Sequence, residues 1–284
     1  MKKNSVLNKL IKADETLVMP NAYDPISAKI IEYVGFKAVQ CSGYGFSVSK
    51  CYSKEADITL EENLAITKSI VDSVSIPVMA DGEDGYGDNE EFLKNIKAFI
   101  CTGIEGMNIE DQNLRGKCLE SRIIPETQMI EKIKLAIQLK KELDCSGFVI
   151  NARTDALLLE DRNEALKVAI DRANSYLEYG ADLCFVPYVR ELDEVKLLAK
   201  EIKGPLSIAI GMPYNIGNIS INQCRELGIA RVSLPTFTIN SSIKALLDSL
   251  MSIKESGEFL EVMKREALFS DMNILNNKLL KKSE

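Results

Sequence analysis

The acids of the chain gather between glycines. The segment Asp81-Gly82-Glu83-Asp84-Gly85-Tyr86-Gly87 is followed by Glu110-Asp111-Gln112. There is no histidine anywhere. Ser-His-Asp and Cys-His catalysis, His-ligated zinc and imidazole acid–base chemistry are therefore excluded within this chain. Carboxylates drawn together repel unless a cation or a shared proton compensates. A set of acidic oxygens from Asp81, Glu83 and Glu110, with neither His nor paired thiols, suits a hard ion, Mg²⁺ or Mn²⁺, held by one or two carboxylates and several waters. The ordinary alternative is that these acids cap helices or pair with Arg and Lys. Ser42-Gly43-Tyr44-Gly45 reads as a small-residue turn offering exposed backbone N–H groups, a nest of the kind that binds a carboxylate or phosphate. Arg153 closes an otherwise apolar run, and its planar fork matches a carboxylate. The competing reading is a salt bridge to Glu110 or Asp155. Cys118 lies beside Lys117 and near Arg115 and Arg122, cations that favour a reactive thiolate or proton donor.

These residues need a scaffold that brings them together. Short apolar runs recur at 17–21, 37–42, 76–81, 106–111, 147–153, 183–188, 205–210 and 231–235. They do not alternate cleanly, as expected of parallel strands covered on both faces. Between them, 60–74, 89–101, 126–143, 160–179, 191–202, 219–227 and 240–255 carry apolar residues three or four apart, the spacing of one helix face. Gly35, Gly103, Gly180, Gly204 and Gly228 punctuate helix ends ahead of the next strand. The pattern predicts a single α/β domain over 1–284, a (β/α)8 TIM barrel, with 257–284 as a C-terminal helical extension. A doubly wound open sheet is the alternative, but neither GxGxxG after the first strand nor GxxxxGK[ST] is present. In a barrel, Asn21, Asp24, Ser42–Gly45, Asp81–Gly87, Glu110–Gln112, Asn151 and Arg153 all fall at the C-terminal strand ends, where barrel sites are built.

Charge and composition narrow the partners. With 35 Lys+Arg against 42 Asp+Glu, no nucleic-acid partner is expected. No apolar run is long enough to span a membrane, and the first residues lack the apolar core of a secretory signal. Seven scattered Cys without a CxxC read as reduced thiols of a cytoplasmic protein, with Cys41, Cys101 and Cys184 in packing roles.

In their order and spacing, segments 19–45, 76–88, 103–112, 151–156, 180–187 and 228–235 resemble the isocitrate lyase / phosphoenolpyruvate mutase superfamily, closest in pattern to its 2-methylisocitrate lyases. The resemblance implies a (β/α)8 barrel whose eighth helix is swapped between subunits of a homodimer or homotetramer. It implies bond making or breaking next to a 2-oxo acid through an enolate held by Mg²⁺. On this basis Asp81 is the principal metal carboxylate, with Glu83 and Glu110 acting through waters. Either Glu55 or Asp57 completes the set, and Asp57 is the assignment made here. Ser42, Gly43 and Arg153, with Tyr44, bind the oxo-acid carboxylate. The family's lyases carry a catalytic Cys six residues after Glu-Asp-Gln, which places Cys118, preceded by Lys117, in that role. Leu119 and Glu120 replace the lyases' Gly-His, and Pro187 stands where they carry Glu. A 2-hydroxy di- or tricarboxylate lyase is the expectation. A phosphonomutase, an oxaloacetate-type hydrolase and a non-catalytic oxo-acid-binding protein are the alternatives.

Overall fold

A computed structural model describes residues 5–87, 89–113, 122–215, 217–257, 259–265 and 279–280. Eight parallel strands, β1 (Leu17–Ala22), β2 (Val39–Cys41), β3 (Val78–Asp81), β4 (Gly106–Glu110), β5 (Val149–Arg153), β6 (Leu183–Val186), β7 (Leu206–Ala209) and β8 (Arg231–Leu234), close in sequence order, with β8 pairing back onto β1. Seven of them fall inside a predicted run, and β1 extends one residue beyond its run, to Ala22. The fold is a (β/α)8 barrel, and the open-sheet alternative is set aside by the β1–β8 pairing. The helices are α1 (Val6–Ile11), α2 (Pro25–Val34), α3 (Gly43–Ser49), α4 (Leu60–Val71), α5 (Asn89–Cys101), α6 (Glu126–Glu142), α7 (Arg162–Glu178), α8 (Leu192–Glu201), α9 (Ile221–Glu226), α10 (Phe237–Ser256) and α11 (Phe259–Arg265).

Local chemistry sets the helix ends. Asp24 accepts from the Ser27 N–H in a capping box ahead of Pro25, and Gly35 ends α2 with φ 100°. Asp24 is thus a cap that opens α2. Gly103, Gly180 and Gly228 also take left-handed conformations, whereas Gly204 does not; its place is set instead by Leu177, whose Cδ1 would lie 3.1 Å from an added Cβ. Of the cysteines read as packing residues, Cys41 and Cys184 are buried, but Cys101 ends α5 exposed. All six described cysteines are free thiols.

Buried polar side chains lie inside the barrel beside Met19 and Met79. Arg231 is fully buried and donates to Gln40 Oε1 (2.7 Å) and Ser207 Oγ (2.9 Å) beneath the ring of Phe185. Asn151 donates to Asn108 Oδ1 (2.6 Å). The apolar core lies between the strands and the outer helices, with Phe92, Ile96, Phe99, Met129 and Ile133 among its buried members. Only Ile239 of α10 is buried, while Phe237, Ile243, Leu246, Leu247 and Leu250 are exposed. Most of 257–284 falls outside the described residues; within it, α11 continues from the end of α10. Among the described residues, no helix is long and apolar enough to cross a membrane.

Candidate active site

Strand register dictates the site. Glu110 on β4 is paired with Arg153 on β5, and Asp81 on β3 with Asn108 on β4. Since side chains alternate along a strand, Asp81, Glu110 and Arg153 share one face and meet at the mouth. Arg153 Nη1 lies 2.8 Å from Glu110 Oε2, and its Nε and Nη2 grip both oxygens of Asp155 at 2.7 and 2.9 Å. The ion pairs anticipated as alternatives for Arg153 are therefore both present. Burial opposes the Arg153 charge, yet Asp155 and Glu110 outweigh it and hold the guanidinium firmly protonated. Burial, partly offset by Arg153, lifts the Glu110 carboxyl well above the usual range, and Asp155 and Asp81 add to the rise.

Around this pair the acids crowd. Glu83 is 1% exposed and sits at φ 48°, a costly conformation for a residue with a Cβ. Its carbonyl accepts from Glu110 N–H (2.9 Å), stitching the β3 loop to β4. Asn63 donates to Asp81 O and to the Tyr86 hydroxyl, Asn95 to Gly85 O, and Lys132 to Asp84 O. The loop is thereby held by side chains from three helices. Gly82 is required for close approach, since a Cβ there would lie 2.6 Å from Asn108 O.

Ser42-Gly43-Tyr44-Gly45 departs from expectation. It forms the first turn of α3 rather than an open turn, with Ser42 as N-cap. Its amides are engaged by the protein's own oxygens: Gly43 N–H donates to Asp81 Oδ2 (3.2 Å), Gly45 N–H to Ser42 Oγ (2.9 Å), and Tyr44 N–H to Glu55. The reading of these N–H groups as exposed is corrected, because the helix places them against Asp81 and Glu55. The assignment of Asp57 is likewise corrected. In the single 3₁₀ turn Glu55–Asp57 the Asp57 side chain is exposed, whereas Glu55 turns inward, its Oε1 only 2.3 Å from where a Gly43 Cβ would stand. Burial and the neighbouring Asp81 raise the Glu55 carboxyl to about 7.

Cys118 and Lys117 lie outside the described residues. The stem of their loop is described: Gln112 bridges Ile123, and Asn113 N–H donates to Arg122 O (3.0 Å). With its amide nitrogen turned toward the acids, Gln112 donates to Glu110 Oε1 (3.2 Å) and Asp155 Oδ2 (3.0 Å).

Several residues of the site escaped sequence reasoning. Asp111 is fully buried. It accepts from Asp155 N–H (2.8 Å) through one oxygen, and from Arg172 (2.7 Å) and Tyr176 (2.8 Å) of α7 through the other. It therefore fixes the residue that fixes Arg153. Substituting Asp111→Asn leaves Arg172 without its buried counter-charge, and urea titration is expected to show a loss of about 3 kcal/mol. Unchanged stability would remove Asp111 from this role. Tyr188 and Tyr214, on the loops after β6 and β7, also face the site; only the Pro187 departure pointed to that side.

A hard cation suits this donor set. Asp81 Oδ1 is buried without a hydrogen-bond partner, beside acids whose carboxyls are pushed upward by burial and by one another. Among the described residues, no three acidic or thiol side chains are arranged to grip one ion directly. One inward carboxylate with further acids around it suits an ion that keeps several of its waters.

Fold and site define an enzyme of the (β/α)8-barrel class with its machinery at the C-terminal mouth of the strands. The family model of phosphoenolpyruvate phosphomutase matches residues 7–254, and the chain belongs to that family, within the superfamily it shares with isocitrate lyase. A 2-methylisocitrate lyase of Aeropyrum pernix is 30% identical, covering 91% of this chain and 82% of that protein. A 2,3-dimethylmalate lyase of Eubacterium barkeri is 28% identical over 95% and 92%, and a chloroplastic carboxyvinyl-carboxyphosphonate phosphorylmutase of Arabidopsis thaliana 30% over 94% and 79%. Among solved structures, a 2,3-dimethylmalate lyase superimposes with TM-score 0.82 at 22% identity, covering 98% of this chain and 95% of that one. An oxaloacetate acetylhydrolase bound to oxalate gives 0.80 at 23%, with coverage of 95% and 96%.

Proposed function

We propose that the chain is a divalent-metal-dependent lyase cleaving a carbon–carbon bond of a 2-hydroxy di- or tricarboxylate, of 2,3-dimethylmalate or 2-methylisocitrate type, to an oxo acid and a smaller carboxylic acid. The observation that carries this reading is the convergence of Asp81, Glu55 and the Glu110–Arg153 pair in one buried mouth. The two lyases at 28 and 30% identity, each matched over more than nine-tenths of this chain, support it.

Asp81 would hold Mg²⁺ or Mn²⁺ directly, with Glu83, Glu110 and Glu55 acting through waters. When bound, the ion supplies Lewis-acid polarisation of the oxo-acid oxygens. The remaining work belongs to the chain. Arg153, clamped by Asp155 and Glu110, presents a fixed positive charge to a substrate carboxylate and offsets the negative charge that grows as the bond breaks. Ser42, Gly43 and Tyr44 line the adjacent wall, where the Gly43 and Tyr44 N–H groups hold Asp81 and Glu55 in place. Cys118, as the thiol, protonates the departing carbanion, and the Lys117 charge stabilises the thiolate that remains. We place the enzyme in the cytoplasm as a homo-oligomer.

A panel assay tests the reading. After EDTA treatment, release of an oxo acid from 2,3-dimethylmalate or 2-methylisocitrate is expected to vanish and to return with Mg²⁺ or Mn²⁺. Turnover of phosphonopyruvate instead would identify a mutase, the second reading, favoured by Pro187 and by the Arabidopsis relative. Turnover indifferent to chelation would overturn the metal assignment.

A further inference from the structure

The mouth of the barrel has two unlike sides. β3 to β5 contribute acids and the guanidinium; the loops after β6 and β7 contribute two phenols. The rings of Tyr188 and Tyr214 meet edge to face, centroids 4.8 Å apart at 80°, a favoured aromatic geometry. Tyr188 takes φ 65°, a conformation that costs free energy in a bulky residue and gathers at functional sites.

Both loops are pinned through their backbones. Arg162, itself held by Glu194 at 2.6 Å, donates to Tyr188 O (2.9 Å). Asn215 donates to Val189 O (2.9 Å) and Ala209 O (3.0 Å) and accepts from Gly211 N–H (2.9 Å). The Tyr188 hydroxyl reaches the charged side, 3.4 Å from Arg153 Nη2, and Tyr214 packs against its ring. Burial is the main cause that pushes both phenols up, Tyr214 to about 12, so each stays an O–H donor.

We infer that Tyr188 and Tyr214 form the subsite for the departing fragment and select a short monocarboxylate over a dicarboxylate. The inference rests on the lyase reading above and narrows its substrate to the dimethylmalate type. Two O–H donors match the two oxygens of a single carboxylate. A second carboxylate on the same fragment would meet the fields of Glu55, Asp81, Glu110 and Asp155, which reach these phenols. Arg153, the cation acting on both phenols, already serves two of those acids and, on the reading above, the oxo-acid carboxylate as well. An added anion would thus be desolvated without compensation, which is costly.

Calorimetry with three probes separates this inference from the reading it rests on. Oxalate binding in the presence of Mg²⁺ reports the oxo-acid half alone. Propionate and succinate, titrated into the pyruvate–Mg²⁺ complex, report the phenol wall. Propionate is expected to bind about 100-fold more tightly than succinate. Tyr188→Phe and Tyr214→Phe should each weaken propionate binding tenfold or more while leaving oxalate affinity unchanged. Turnover should follow, with 2,3-dimethylmalate preferred over 2-methylisocitrate by a similar factor. Normal oxalate binding with equal affinities for propionate and succinate, or Phe variants that keep full propionate affinity, would overturn the subsite while sparing the lyase reading. Absence of oxalate binding would remove both.

Discussion

Asp81→Asn is expected to lower kcat/KM by about 10³-fold while leaving the protein as stable as before, or more so. The activity loss follows from the Lewis-acid contribution of a bound ion, several kcal/mol, with each 1.36 kcal/mol worth tenfold. Stability moves the other way for a local reason. Oδ1 of Asp81 is buried without a partner, and the charge faces Glu55, whose carboxyl it raises. Asparagine keeps an acceptor for the Gly43 N–H while relieving that repulsion. Steady-state kinetics at saturating Mg²⁺, with thermal melting in EDTA, check both halves of the expectation. A variant that loses stability and activity together would show that Asp81 serves the fold rather than the chemistry. Cys118→Ala provides the contrast: cleavage should cease while oxalate and Mg²⁺ still bind.

The second large effect concerns α10. Ile243, Leu246, Leu247 and Leu250 are exposed at helical spacing, and Phe259 and Leu260 extend the apolar surface into α11. An exposed patch of this kind marks an association surface. The native chain is expected to sediment as a dimer or tetramer, and the doubly substituted Leu246→Asp/Leu250→Asp protein as a 31.6 kDa monomer. Two central anchors, each worth about 2 kcal/mol or more, weaken association on the order of 10³-fold. A native chain that is already monomeric at micromolar concentration would overturn the assignment of this face.

How far the sequence could be read depended on the kind of signal each element carries. The strands were legible because two covered faces demand unbroken apolar runs, and the helices from α4 onward because burial on one face imposes a period of 3.6. The turn of α3 was not legible. Gly43 and Gly45 look like turn residues, but their role is close approach: added Cβ atoms would meet Glu55 Oε1 at 2.3 Å and Tyr23 Cβ at 2.8 Å. Nothing local distinguishes Glu55 from Asp57, since two acids on one 3₁₀ turn point apart and only the mouth decides which is inward. Asp111 stood in a motif whose neighbours drew attention, while its own partners, Arg172 and Tyr176, lie more than sixty positions away. The Tyr188–Tyr214 pair is invisible in one dimension because barrel closure alone brings the two loops together.

The anchoring of those loops has an evolutionary consequence. Arg162 and Asn215 grip main-chain carbonyls of Tyr188, Val189 and Ala209, groups that every amino acid supplies. Side chains at 188 and 214 can be exchanged without loosening the grip, while the clamp formed by Asp111, Asp155 and Glu110 admits no such exchange. A lineage built this way can acquire a new leaving-group preference by altering two positions, and a designer can redirect it by the same route.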